Sequence, residues 1–179
     1  MRYSVFTVFM IVISAIAFIY HGIIFAGTIE IKDDLIIITG QKANIRFAPN
    51  TSSEVVAQAI KGDIFKVKGQ KGNWYKIIMF TGVARYVYAT LAEPTKETLD
   101  LPDSVPIRKK IFLAILQAED RAMYEAEAKF PLSKNLDKNV DQTRILEDQY
   151  KLKVFHKYNI HPPANNEIIV EGIERNWDM

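Results

Sequence analysis

Seven aromatic residues crowd one stretch of the chain: Phe47, Phe65, Trp74, Tyr75, Phe80, Tyr86 and Tyr88. Most must build a core, because large rings bury well. In an alternating segment, however, neighbouring side chains point to opposite faces. Trp74, Tyr75, Tyr86 and Tyr88 are therefore the candidates for ligand contact. Outward rings suit extended, preformed ligands such as peptides or glycans, with main-chain edge groups adding hydrogen bonds. This is recognition, with no bond made or broken.

Groups that could break bonds are poorly arranged. The chain has no Cys, which excludes disulfide scaffolds, Cys-ligated zinc, cysteine nucleophiles and lipid-modified N-terminal cysteines. No Gly-x-Ser-x-Gly elbow and no phosphate-cradling glycine loop occur. His156 and His161 are five positions apart with a helix end expected between them, so they do not share a face as metal ligands would. Glu119, Asp120, Glu125 and Glu127, with Arg121 and Lys129, read as a solvated helix face with ion pairs such as Glu125 with Lys129. We therefore expect a non-enzymatic protein with no metal and no cofactor.

The elements that carry these residues follow from the patterning. The 179 residues fit one medium domain or two small ones plus an appendage. A formal net charge of +2 predicts no nucleic-acid partner. Residues 1–26 contain 20 apolar residues, with Arg2 ahead of the run. From Val5 to Tyr20 only Thr7 and Ser14 are polar. This is a signal peptide or a membrane anchor, and residues 5–26 could tether the chain. Either alternative places the remainder outside the cytoplasm, in a periplasmic or extracellular location, anchored to the inner or cytoplasmic membrane if the segment is kept.

After residue 34 the period becomes two. Short runs at Leu35–Thr39, Ala43–Phe47, Ile64–Lys68, Trp74–Phe80 and Arg85–Tyr88 alternate with turn signals, and Glu54–Ile60 forms a further apolar run. Strands at this spacing suggest a small barrel over residues 34–93. Four segments then carry a family resemblance. Asn44-Ile45-Arg46-Phe47-Ala48-Pro49-Asn50 resembles the opening Asn-Val-Arg-x-x-Pro-Ser of bacterial SH3 domains. Val55 to Lys61-Gly62-Asp63 is similar to their apolar run and turn, and Gly72-Asn73-Trp74-Tyr75-Lys76-Ile77 to their Gly-x-Trp-Tyr-Lys-Val strand. Arg85-Tyr86-Val87-Tyr88-Ala89-Thr90-Leu91 resembles their closing segment. Arg85 and Ala48 stand where the family usually has glycine, so either turn could differ. The resemblance implies a domain that binds cell-wall peptide or another envelope ligand. Cell-wall hydrolases that join such a barrel to a cysteine peptidase would need a Cys, which this chain lacks.

Prolines 94, 102 and 106 mark a linker over residues 94–106. Beyond it the period becomes helical. Ile107, Ile111, Ile115, Ala118, Ala122 and Ala126 make one stripe, and Leu136, Val140, Thr143, Leu146, Tyr150, Val154 and Tyr158 another. Ile169, Ile173 and Trp177 suggest a short third helix, with Gly172 its weak point. The expected fold class is α+β: a small SH3-like β barrel, then an antiparallel helical hairpin over residues 107–179, preceded by an export or transmembrane segment. Each core alone is small, so the two should pack together. Two functions fit. The barrel could bind an envelope ligand, or the helical region could be an assembly or adaptor module for a membrane or envelope complex, with the barrel as spacer.

Overall fold

In a computed structural model of the chain, the described residues are 35–97 and 101–177. The expected signal or anchor over residues 1–26 lies outside them. No helix among the described residues is long and apolar enough to cross a membrane.

Seven antiparallel strands form one sheet: β1 (Leu35–Ile38), β2 (Lys42–Arg46), β3 (Val55–Ile60), β4 (Ile64–Lys71), β5 (Trp74–Ile78), β6 (Ala84–Tyr88) and β7 (Ala92–Thr95). Their spatial order is β3-β2-β6-β5-β4-β1-β7. The sheet curls so that Ile38 exchanges main-chain bonds with Gly62 and Asp63 in the β3–β4 turn. Ile36, Ile45, Val56, Phe65, Ile77 and Val87 fill the interior. Gly62, at φ 95°, makes the turn in a backbone region that side chains avoid. Arg85 and Ala48 do not take positive φ, so the two missing glycines are replaced without left-handed strain.

Three helices follow: α1 (Val105–Lys129), α2 (Leu132–Tyr158) and α3 (Asn165–Glu174). Pro131 separates α1 from α2, and Asn159 ends α2 at φ 53° with its N–H bonded to the carbonyls of Phe155 and His156. A 3₁₀ turn at Pro162–Ala164 leads into α3. The stripe expected on α1 is buried from Ile111 to Ala126, although Ile107 is exposed.

The stripe expected on α2 is right only in part: Val154 and Tyr158 pack against the helical cluster, but the buried centre of the helix lies beside the stripe. Leu136 is 59% exposed, whereas Asn139, Ile145, Asp148, Lys151, Leu152 and Phe155 are the buried residues. The cause is that α2 lies between two surfaces. Ile145 and Leu152 enter the barrel core, while Phe155 joins Ile111, Phe112 and Ile115 of α1. Phe80 touches both clusters, with its ring 4.8 Å from that of Phe155. Barrel and helices therefore share one continuous apolar interior.

Three further expectations need correcting. Asn165, Ile168 and Gly172 are the buried residues of α3 and Trp177 is buried just beyond it, while Ile173 is 63% exposed. Gly172 is a contact point, because a Cβ there would lie 2.2 Å from Cδ2 of Phe112. Glu125 pairs with Arg121 at 2.7 Å, and Lys129 turns to Gln142.

Candidate functional site

The sheet places a polar and aromatic face on the outside of β2, β3, β5 and β6. In β2, alternation buries Ala43 and Ile45 and turns Lys42, Asn44 and Arg46 outward. Register sets Trp74 opposite Tyr88, so the two rings share this outer face. They meet edge to face with centroids 5.1 Å apart. Trp74 is only 8% exposed, which makes it the rigid floor, while Tyr88 is half-buried beside it. Together with Gln58, Thr51 and Leu91, these residues line a cleft of about 290 Å³.

Hydrogen bonds hold the cleft's polar side chains in place. Gln58 donates its side-chain N–H to Asn44 Oδ1 at 3.1 Å. Arg46 donates one guanidinium N–H to the Ser53 carbonyl at 2.6 Å. The Lys42 side chain makes no hydrogen bond or ion pair among the described residues. Among the described residues, no carboxylate lines the cleft.

The four candidate aromatics divide. Trp74 and Tyr88 come together in the cleft. Tyr86, paired with Arg46 and Lys76, lies on the same face but outside the cleft lining. Tyr75 is on the opposite face, half-buried against the barrel core. It is not part of this site, because neighbouring strand residues point to opposite sides. Phe47 departs from its expected partners Ala43 and Ile45. A register shift between Ile45 and Arg46 leaves it 51% exposed, under the Arg85 guanidinium at 5.2 Å.

A second polar cluster joins α2 to the barrel. Asp148 is fully buried and faces Thr81 in the β5–β6 loop. Burial pushes its carboxyl up to about 6, opposed by the Thr81 hydrogen bonds and the charge of Arg85. Burial also lowers the pKa of Arg85, opposed by Asp148. Gln149 donates to the Val56 carbonyl at 2.7 Å, and His156 Nε2 lies 2.9 Å from Asp63 Oδ2. These groups are spent on docking the helices. His156 is thereby placed in an interface, not beside His161. Among the described residues, no group of three or more His, Asp or Glu is arranged as metal ligands would be.

Residues 42–91 match the family model described as bacterial SH3 domain. This segment is a bacterial SH3 domain. It carries every residue of the cleft from Lys42 to Leu91. A relative is the Bacillus subtilis (strain 168) protein named "Putative N-acetylmuramoyl-L-alanine amidase YrvJ", 36% identical over 53 residues. The match covers 30% of this chain and 10% of that protein.

Proposed function

We propose that this chain is an exported, non-enzymatic envelope protein whose bacterial SH3 domain binds cell-wall peptide or another envelope ligand. The cleft at Trp74 and Tyr88 is the binding site. The observation that carries this reading is the position of the cleft, which lies wholly within the segment that is a bacterial SH3 domain. A rigid aromatic floor beside fixed amide and guanidinium donors suits recognition of an extended chain. The test is co-sedimentation of the full chain with purified bacterial sacculi. Retention that falls when Tyr88 is replaced by Ala supports the reading. Recovery of all the protein in the supernatant would remove it.

A second reading makes the helical region an assembly module, and one observation favours it. Met123, Tyr124, Leu132 and Leu136 are 52%, 78%, 51% and 59% exposed near the turn of the hairpin. They lie away from the α2 residues that enter the barrel core. Replacing Tyr124 and Leu136 by Lys and measuring mass on a sizing column tests it. An unchanged mass and unchanged partner recovery would count against this reading.

A further inference from the structure

Among the described residues the cleft is lined by two cationic side chains and no carboxylate, and this charge imbalance bears on which part of an envelope ligand it takes. Along β2, Lys42, Asn44 and Arg46 face the cleft in succession. At the usual rise per strand residue, the two cations stand roughly 13 Å apart along the strand. Lys42 offers an ammonium with no partner among the described residues. Asn44 has its carbonyl oxygen occupied by Gln58, which leaves its own N–H groups to face outward. Arg46 uses one N–H on Ser53, and its other donors remain for a ligand.

Among the described residues, no Asp or Glu lines this surface to neutralise the cations. The acidic residue nearest to Arg46 in sequence is Glu54, and its charge acts on Arg85. The Trp74 and Tyr88 rings supply an apolar wall beside the donors. A neutral ligand such as an unsubstituted glycan or a polyglycine chain would leave both cations unmatched. A carboxylate accepts from ammonium and guanidinium donors in short, charge-assisted bonds.

We infer that the cleft selects a carboxylate-bearing extended peptide, with its acid groups held by Lys42 and Arg46 and its backbone laid over Asn44 and the Trp74–Tyr88 wall. This deepens the cell-wall reading and rests on it. The occupant is the acidic peptide portion of the wall polymer, and glycan strands and neutral bridges are the alternatives that the experiment separates.

The experiment titrates the full chain, by calorimetry, with a soluble muramyl stem peptide carrying free carboxylates and with the same peptide fully amidated. The expected result is binding of the acid form that weakens about tenfold on amidation and falls with added salt. The Lys42 side chain has no polar partner among the described residues, so Lys42→Gln should leave the fold intact and narrow the difference between acid and amide. Arg46→Gln should narrow it further, with circular dichroism checking the loop that Arg46 holds at Ser53. Equal affinity for the two forms, or equal losses for both in the Lys42→Gln protein, would overturn carboxylate selection while leaving wall binding in place. Failure of the wild-type chain to sediment with intact sacculi would instead remove the underlying reading, and this inference with it.

Discussion

The carboxylate of Asp148 accepts hydrogen bonds from both the backbone N–H of Thr81, at 3.1 Å, and its hydroxyl, at 3.1 and 3.2 Å. This contact spans 67 residues of sequence and joins α2 to the β5–β6 loop. It also ties docking to pH. The carboxyl titrates near 6 in the folded protein, above the ordinary value for Asp of about 3.9. The folded state therefore binds more protons than the unfolded state between those two values. Stability rises as pH falls from 7 through 6, and the gain is complete below the unfolded value. From pH 7 to pH 5 this one group contributes about 1 kcal/mol. Asp148→Asn keeps an acceptor for Thr81 and loses the proton. We expect urea midpoints of the wild type to rise relative to those of Asp148→Asn over that interval. Identical pH dependence in the two proteins would refute the assignment.

The shared interior predicts that the barrel is weak alone. Leu152 and Ile145 of α2 belong to the barrel core, at 2% and 9% exposure. A buried aliphatic side chain of this kind contributes about 1.5–3 kcal/mol. Small domains have little stability to spare. Ending the chain at residue 97 should lower the thermal midpoint of the barrel steeply or unfold it. Circular dichroism melting of the truncated and full chains measures this. An unchanged midpoint would mean that the helices are passengers.

Much of this organisation can be read from the sequence where a single rule decides the outcome. Short alternating or apolar runs between turn residues identify β1 through β6. The strand β7 escapes because Ala92-Glu93-Pro94-Thr95 has no apolar alternation and contains a proline. It is tolerated there because β7 is an edge strand, paired only to β1. It also extends to Thr95, inside the stretch read as linker. The phase of α2 escapes because one stripe cannot describe a helix covered on two sides. Its buried arc also holds Lys151, which is neutralised at 2.6 Å by both Glu119 and Glu147. Hydrophobic periodicity has no means of marking such a residue as interior. In the cleft, the aromatics could be named from alternation. The cations could not, since only the strand order β3-β2-β6-β5 brings Lys42 and Gln58 beside Trp74.

Gly172 supplies a prediction in which two effects have opposite signs. On helix propensity alone, Gly172→Ala in α3 should stabilise by about 1 kcal/mol. Close approach opposes it. The added Cβ would sit 2.2 Å from one Phe112 ring carbon and 2.4 Å from another. Phe112 is itself 2% exposed and stacks edge to face on Trp177, so the ring has nowhere to retreat. Overpacking of this kind costs about 1–3 kcal/mol. The contact should win, giving net destabilisation and a lower urea midpoint. A raised midpoint would show that the α1–α3 contact yields easily.

Tyr88 and Tyr75 provide the contrast that separates recognition from packing. They lie on adjacent strands, yet Tyr88 faces the cleft and Tyr75 faces the barrel core. If the cleft binds the wall, Tyr88→Ala should reduce sedimentation with sacculi about tenfold, since stacked aromatic anchors dominate such interfaces. Its folding midpoint should move less than that of Tyr75→Ala, because the ring is half-buried, lies outside the barrel core cluster and loses mainly its edge-to-face contact with Trp74. Tyr75→Ala should do the reverse, leaving retention intact at a temperature where the protein stays folded while lowering the midpoint. Sedimentation and thermal melts on both variants give four values. The pattern that denies the cleft a role is loss of retention in Tyr75→Ala with full retention in Tyr88→Ala, since the binding face would then be on the other side of the sheet.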